Sequence, residues 1–160
     1  MIKKILLFLL ILLIVLQAFR PKLDNTGTGS TASISTVATV PTEVDKVLKT
    51  SCYDCHSNST NYPWYTTIQP FGWWIDDHVN EGKKELNFDE FGSYTLRRQF
   101  HKLEEVVEMV KEDEMPLKSY TIIHRDAVLD AEQKKLVMDW ANSSMQAMKA
   151  TYPPDSLFRK

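Results

Sequence analysis

Cys52, Cys55 and His56, in the run SCYDCHS at residues 51–57, are the side chains whose types and spacing name a chemistry. Two thiols three residues apart on one helical turn point the same way, toward the two vinyl groups of a single porphyrin. A C-x-x-C-H run therefore reads as a c-type haem attachment site. His56 then falls under the iron as the proximal nitrogen ligand, and thioether bonds keep the macrocycle in place even when another ligand lets go. Both of the chain's two cysteines lie in this motif. A structural disulfide would consume the attachment site, and no four-cysteine zinc or iron–sulfur centre can be built from one chain. One motif implies one covalent haem c.

What such an iron does depends on its second axial ligand, for which Met115, His78, His101 and His124 are the candidates. Pro116 disfavours helix at Met115 and fixes the chain direction after it, so the thioether would be offered from an ordered loop. A methionine is more often a core filler, but the approach to Met115 (KEDE, residues 111–114) is charged, where a filler is less expected. His101, beside Lys102, reads as solvated. His78 follows Asp76 and Asp77 and reads as a carboxylate-paired or propionate-side histidine. His124, close after Met115 and next to Ile122 and Ile123, is the strongest rival.

These residues need a compartment and a scaffold. Lys3 and Lys4 precede an unbroken apolar run over residues 5–16, the layout of a secretory signal or of an uncleaved anchor. Residues 5–19 as helix would span roughly 22 Å, short of a hydrocarbon core of roughly 30 Å but extendable by thinning and snorkelling lysines. Ala18 could end a cleavage site, yet Leu16 is too large two positions earlier, so retention is expected. With Lys3 and Lys4 inside, the rest of the chain lies outside the cytoplasm, the side on which C-x-x-C-H proteins acquire haem. Residues 24–40, rich in Thr, Ser and Gly, read as a flexible tether with a random-coil span of roughly 23 Å. The expected organisation is a signal peptide or anchor over 1–20, a flexible linker over 21–40, a haem-binding domain over 41–148 and a tail over 149–160.

Helical periodicity begins at residue 41. Thr42 can cap a helix in which Val44, Val47 and Leu48 share a face, running into Ser51 and the motif. Residues 97–112 put Phe100, Leu103, Val106, Val107 and Val110 on one stripe, with Lys102, Glu104, Glu105, Glu108 and Lys111 elsewhere. A third helix starts at Asp130, with Gln133 completing a capping-box pair, and carries Leu136, Val137, Trp140, Ala141 and Met145 inward. Pro153 and Pro154 end any continuation. No strand alternation or internal repeat stands out, so the fold class is all-α. Residues 61–82 crowd aromatic side chains together just after the motif; they read either as haem walls or as ordinary core.

The runs VDKVLK (44–49), SCYDCHSN (51–58), YPWY (62–65), Trp73 with Trp74, LEE (103–105), EMP (114–116) and then Tyr120 together resemble the bacterial single-haem haem-binding domain family, over roughly residues 41–142. The resemblance implies that Cys52 and Cys55 attach haem, that His56 is the proximal ligand and that Met115 is the distal one. It also implies similarity to small c-type cytochromes, whose terminal helices pack across each other near the haem; residues 42–50 and 130–148 would take those parts.

A formal charge of -2 with charged residues of both signs gives no basic field for nucleic acid. The expected function is single-electron transfer between redox partner proteins by a His56/Met115 haem, periplasmic and tethered to the inner membrane. Met/His ligation raises the reduction potential, and a saturated iron leaves no place for substrate. The alternative is a haem enzyme or small-gas sensor with an open or labile distal side. Cys52 and Cys55 as a thiol–disulfide pair is a third reading, weakened by His56 and by the lack of a β-α-β setting. A zinc finger would need closely paired histidines, which the chain lacks.

Overall fold

The computed structural model describes residues 1–23, 27 and 30–158 of the 160. Every regular element among them is helical: α1 (Ile2–Leu16), α2 (Thr42–Ser51), α3 (Tyr53–His56), α4 (Phe71–Glu85), α5 (Leu96–Lys111), α6 (Lys118–Thr121), α7 (Ala131–Thr151) and α8 (Pro154–Leu157), with short 3₁₀ turns between them. The all-α expectation matches this architecture.

Helices α5 and α7 pack along each other, and α2 lies across α7. Their apolar stripes meet in one core, where Val44, Leu48, Phe100, Leu103, Val137 and Ala141 are buried. The capping box forms as expected: the Asp130 side chain accepts from the Gln133 N–H and the Gln133 side chain accepts from the Asp130 N–H. Two local expectations are corrected. Pro41, not Thr42, holds the cap position of α2, and Thr42 is already helical. Lys102 is buried rather than on the polar side, because it reaches Glu85 Oε2 (3.1 Å) and Glu105 Oε2 (2.6 Å) and is neutralised there.

The aromatic stretch hides a helix. Pro70 ends the preceding extended segment, and α4 then runs for 15 residues through Gly72 and Gly82, both of which face close neighbours. A Cβ at Gly82 would stand 2.5 Å from the Cys55 carbonyl oxygen and 3.0 Å from the Cys55 Cβ. The glycine is what lets α4 lie directly on α3.

The stretch read as a flexible linker does not run free throughout. Residues 24–26, 28 and 29 lie outside the described residues. Farther on, Ile34 is 1% exposed in the core, its N–H donates to the Phe88 carbonyl (2.8 Å), and the Thr39 carbonyl accepts from Trp140 Nε1 (3.1 Å). One large β-branched residue in a Ser/Thr-rich run pins a segment whose other residues stay at least partly exposed. The tail packs as well, with Leu157 buried and Phe158 edge-on to Phe100 at 5.0 Å.

Candidate haem site

Cys52 breaks the helix at the motif. With φ -127° and ψ -40° it ends α2 and caps α3, so the two thiols are presented from a turn and a short helix rather than from one continuous rod. The Cys55 and His56 N–H groups both return to the Cys52 carbonyl (3.2 and 3.0 Å), which fixes the second cysteine and the histidine relative to the first.

Downstream chain then locks the turn. The Phe88 N–H donates to the His56 carbonyl (2.8 Å), the Asn58 N–H to Asp89 Oδ2 (2.8 Å) and Asn87 Nδ2 to Asn58 Oδ1 (2.7 Å). The imidazole itself is tied: His56 Nδ1 lies 2.9 Å from the Leu86 carbonyl oxygen. A carbonyl can only accept, so Nδ1 carries the proton and Nε2 keeps its lone pair. Burial also holds the His56 pKa below the usual histidine range, which keeps the ring neutral at pH 7. A neutral imidazole with an oriented N–H on its far side is the form in which histidine binds a metal.

Both cysteines are free thiols. Burial pushes the Cys52 thiol up to about 12 and Cys55 to about 11. Redox-active C-x-x-C pairs work by the opposite shift, toward thiolate. The shift here runs the other way.

Met115 arrives from the other end of α5. Asp113 takes a left-handed conformation (φ 62°) just after the helix, and the N–H groups of Glu114 and Met115 both return to the Met109 carbonyl (3.0 and 3.2 Å). This is a helix-ending hydrogen-bond pattern that turns the chain sharply. It carries Met115, Pro116 and Leu117 into the wall of a cleft of about 250 Å³ that Cys52, Cys55 and His56 also line. Lys134 of α7 pairs with Asp113 and holds the turn from outside.

The histidines separate clearly. His124 lies outside this cleft, stacked on Tyr120 (ring centroids 4.1 Å, 7° between planes), with Nε2 2.8 Å from the Tyr65 hydroxyl. His101 is exposed and faces Glu104 and Glu105. His78 does line the cleft. Its Nδ1 donates to the Trp74 carbonyl (2.8 Å), which leaves Nε2 available. The sequence reads His78 as carboxylate-paired or propionate-side without recognising α4, the helix that sets it on the cleft; a 3.6-residue spacing of Trp74, His78 and Glu81 was the signal that could have found that helix.

Two further residues were missed. Asp54, inside the motif, accepts from the Tyr120 hydroxyl at Oδ2 (2.7 Å) and from the Asn61 N–H at Oδ1 (3.0 Å). Tyr120 thus bridges the motif to the segment that follows Met115. None of the tyrosine, tryptophan or phenylalanine side chains of residues 61–82 lines the 250 Å³ cleft; Tyr62, Tyr65 and Trp74 line a small adjoining hollow, while Trp64, Phe71 and Trp73 are exposed. Three of the aromatic side chains therefore stand beside the cleft and not in it.

The sequence model of the haem-binding domain family matches residues 11–143. The chain belongs to the haem-binding domain family. The match spans the motif, α4, α5 and the Met115 turn, so the residues that line the cleft all lie within the matched range. No curated protein and no solved structure matches the chain. The donors present fit the group the family binds: a neutral imidazole with a free nitrogen, a thioether and two protonated thiols on one cleft. Asp54, Asp77, Glu81 and Glu85 also line it, with no lysine or arginine among the lining residues, so carboxylate-bearing edges of a ligand are best accommodated toward solvent.

Proposed function

We infer that the chain holds one haem c through thioether bonds from Cys52 and Cys55, with His56 and Met115 as axial ligands. We infer further that it carries single electrons outside the cytoplasm, held to the inner membrane by α1, between redox partner proteins. The single observation that supports this best is the meeting of Met115 with Cys52, Cys55 and His56 on one cleft. Haem supplies a one-electron iron couple whose potential follows its axial ligands. The chain's own residues do the rest. Leu86 orients His56 and fixes its tautomer. The Cys52 carbonyl, which accepts from the Cys55 and His56 N–H groups, holds the second thiol and the imidazole in register with the first. The turn at Asp113 presents a soft, uncharged thioether and not a charged donor.

A second reading has one specific observation behind it. His78 lines the same cleft with a free Nε2, so a bis-histidine iron, or a distal side that opens when Met115 leaves, would make the chain a sensor or enzyme. Optical spectra of protein matured in a host with haem-attachment machinery separate the two. Haem should stay with the polypeptide after acid extraction, and the ferric protein should show the weak red charge-transfer band of methionine ligation, lost in Met115→Ala. If haem is extracted by acid, the covalent assignment fails. If the band is absent, or persists in Met115→Ala but vanishes in His78→Ala, the His56/Met115 assignment fails.

A further inference from the structure

The apolar N-terminal helix is fastened to the domain. Past Leu16 the chain makes one more turn, with the N–H groups of Gln17, Ala18 and Phe19 bonded to the carbonyls of Ile14, Val15 and Leu16. The Gln17 side chain then grips the backbone of Gln69 in both directions: Nε2 donates to the Gln69 carbonyl (3.2 Å) and Oε1 accepts from the Gln69 N–H (2.9 Å). Next to it, Trp73 Nε1 donates to the Phe19 carbonyl (2.6 Å). Gln69 is fully buried, so the grip reaches the interior of the domain.

Around this junction the surface is aromatic. Phe19 and Trp64 are 64% and 76% exposed, Phe71 56% and Trp74 44%, with Ile68 and Trp73 partly open beside them. Monomers seldom leave a patch of this kind to water. Tryptophan, with an apolar body and one polar N–H, settles at the boundary between acyl chains and headgroups, and phenylalanine beside it adds apolar area. Arg20 and Lys22, both exposed, follow directly, where they would meet lipid phosphates.

Among the described residues no helix is long and apolar enough to cross a membrane, and α1 with its 15 residues measures roughly 22 Å. A short apolar helix relieves the mismatch by drawing its flanking groups into the interface. Here the flanking groups belong to the folded domain.

We propose that the face formed by Phe19, Trp64, Ile68, Phe71, Trp73 and Trp74 docks on the bilayer interface, clamped to α1 through Gln17 and Gln69, so that the domain lies on the membrane and is not suspended from it. This rests on the reading of α1 as a membrane anchor. Its consequence is positional: α4 begins in the aromatic face and its later turns line the haem cleft at Glu81 and Glu85. The 8 residues from Trp73 to Glu81 cover about 12 Å of helix, which sets the cleft at a fixed, short distance from the lipid surface.

The test uses the full haem-loaded chain in vesicles of phosphatidylcholine and phosphatidylglycerol carrying a trace of lipid with a diazirine at the top of its acyl chain. Adducts are mapped by mass spectrometry after illumination. Labelling is expected on α1 and, several-fold above α7, on residues 64–74. In Gln17→Ala the 64–74 adducts should fall several-fold while those on α1 persist. Adducts on α1 alone overturn the docking while leaving the anchor intact. Adducts on neither overturn the anchor and the docking with it, and undiminished 64–74 labelling in Gln17→Ala overturns the clamp.

Discussion

The two walls of the haem cleft are built on different terms. The wall carrying Cys52, Cys55 and His56 is held by backbone on all sides: its own turn, the loop from Leu86 to Asp89, and α4 pressed against it at Gly82. The wall carrying Met115 is a turn off the end of α5, flanked by the exposed Glu112, Asp113 and Glu114 and secured by two backbone hydrogen bonds and one ion pair. One side holds its thiols and imidazole at a set position. The other offers a flexible side chain from an exposed rim, so under the proposed His56/Met115 ligation the distal ligand would exchange more readily than the proximal one.

If that contrast is right, damage to the proximal wall should be the more severe. Gly82→Ala puts a methyl 2.5 Å from a backbone oxygen of Cys55, and neither helix has a flexible side chain there to give way. Overpacking of this sort costs about 1–3 kcal/mol, and the displacement falls on an attachment cysteine. Chemical denaturation should show that loss, with a large fall in the yield of covalent haem. A variant that matures and unfolds like the parent would mean that α3 and α4 are less tightly apposed than the geometry indicates.

Tyr120 joins the two walls, so its removal measures how far they act together. Tyr120→Phe leaves Asp54 Oδ2 without its donor, at a cost of about 1–3 kcal/mol. The substitution should weaken the methionine charge-transfer band without releasing haem. Burial, with the Asp54 carboxylate second, holds the Tyr120 phenol well above its ordinary value of 10.0; Tyr53 is raised too, again mainly by burial. Above about pH 10 the unfolded chain loses these protons while the folded chain keeps them, so stability falls as pH rises. Denaturation midpoints measured between pH 9 and 11 should decline, less steeply in Tyr120→Phe. A parent whose stability is flat across that range would contradict the buried-phenol geometry.

The same contrast explains what the sequence made legible. The motif is a local pattern whose chemistry follows from spacing alone. The stripes of α5 and α7 and the Asp130–Gln133 box could be read because their periodicity and caps are local as well. Helix α4 was obscured by Pro70, two glycines and an aromatic composition that carries no clean stripe, because its exposed aromatics are not sorted from its buried face by polarity. Ile34 shows the converse: a segment whose composition reads as linker is pinned by one residue against Phe88, a partner 54 positions away. That Met115 and not His124 lines the cleft goes with the left-handed turn at Asp113 and with Tyr120, which lines the cleft and has His124 stacked on it. Neither leaves a periodic trace.

Asp113 gives the smallest effect and the sharpest comparison. At φ 62° an aspartate occupies a conformation that glycine adopts freely at helix ends, yet its side chain pairs with Lys134. Asp113→Gly relieves the first and removes the second. A solvent-screened ion pair contributes about 0–1 kcal/mol, and the relief of the left-handed backbone, about 1–2 kcal/mol, is offset in part by the entropic cost of glycine, about 0.5–1 kcal/mol. The net change should lie within about 1 kcal/mol, with the charge-transfer band of the ferric protein intact. If the turn owes its shape to the two hydrogen bonds onto the Met109 carbonyl, the thioether stays where it is. Loss of the band in a variant that remains fully folded would instead assign the positioning of Met115 to Lys134, and the distal wall would then be governed by α7 rather than by the end of α5.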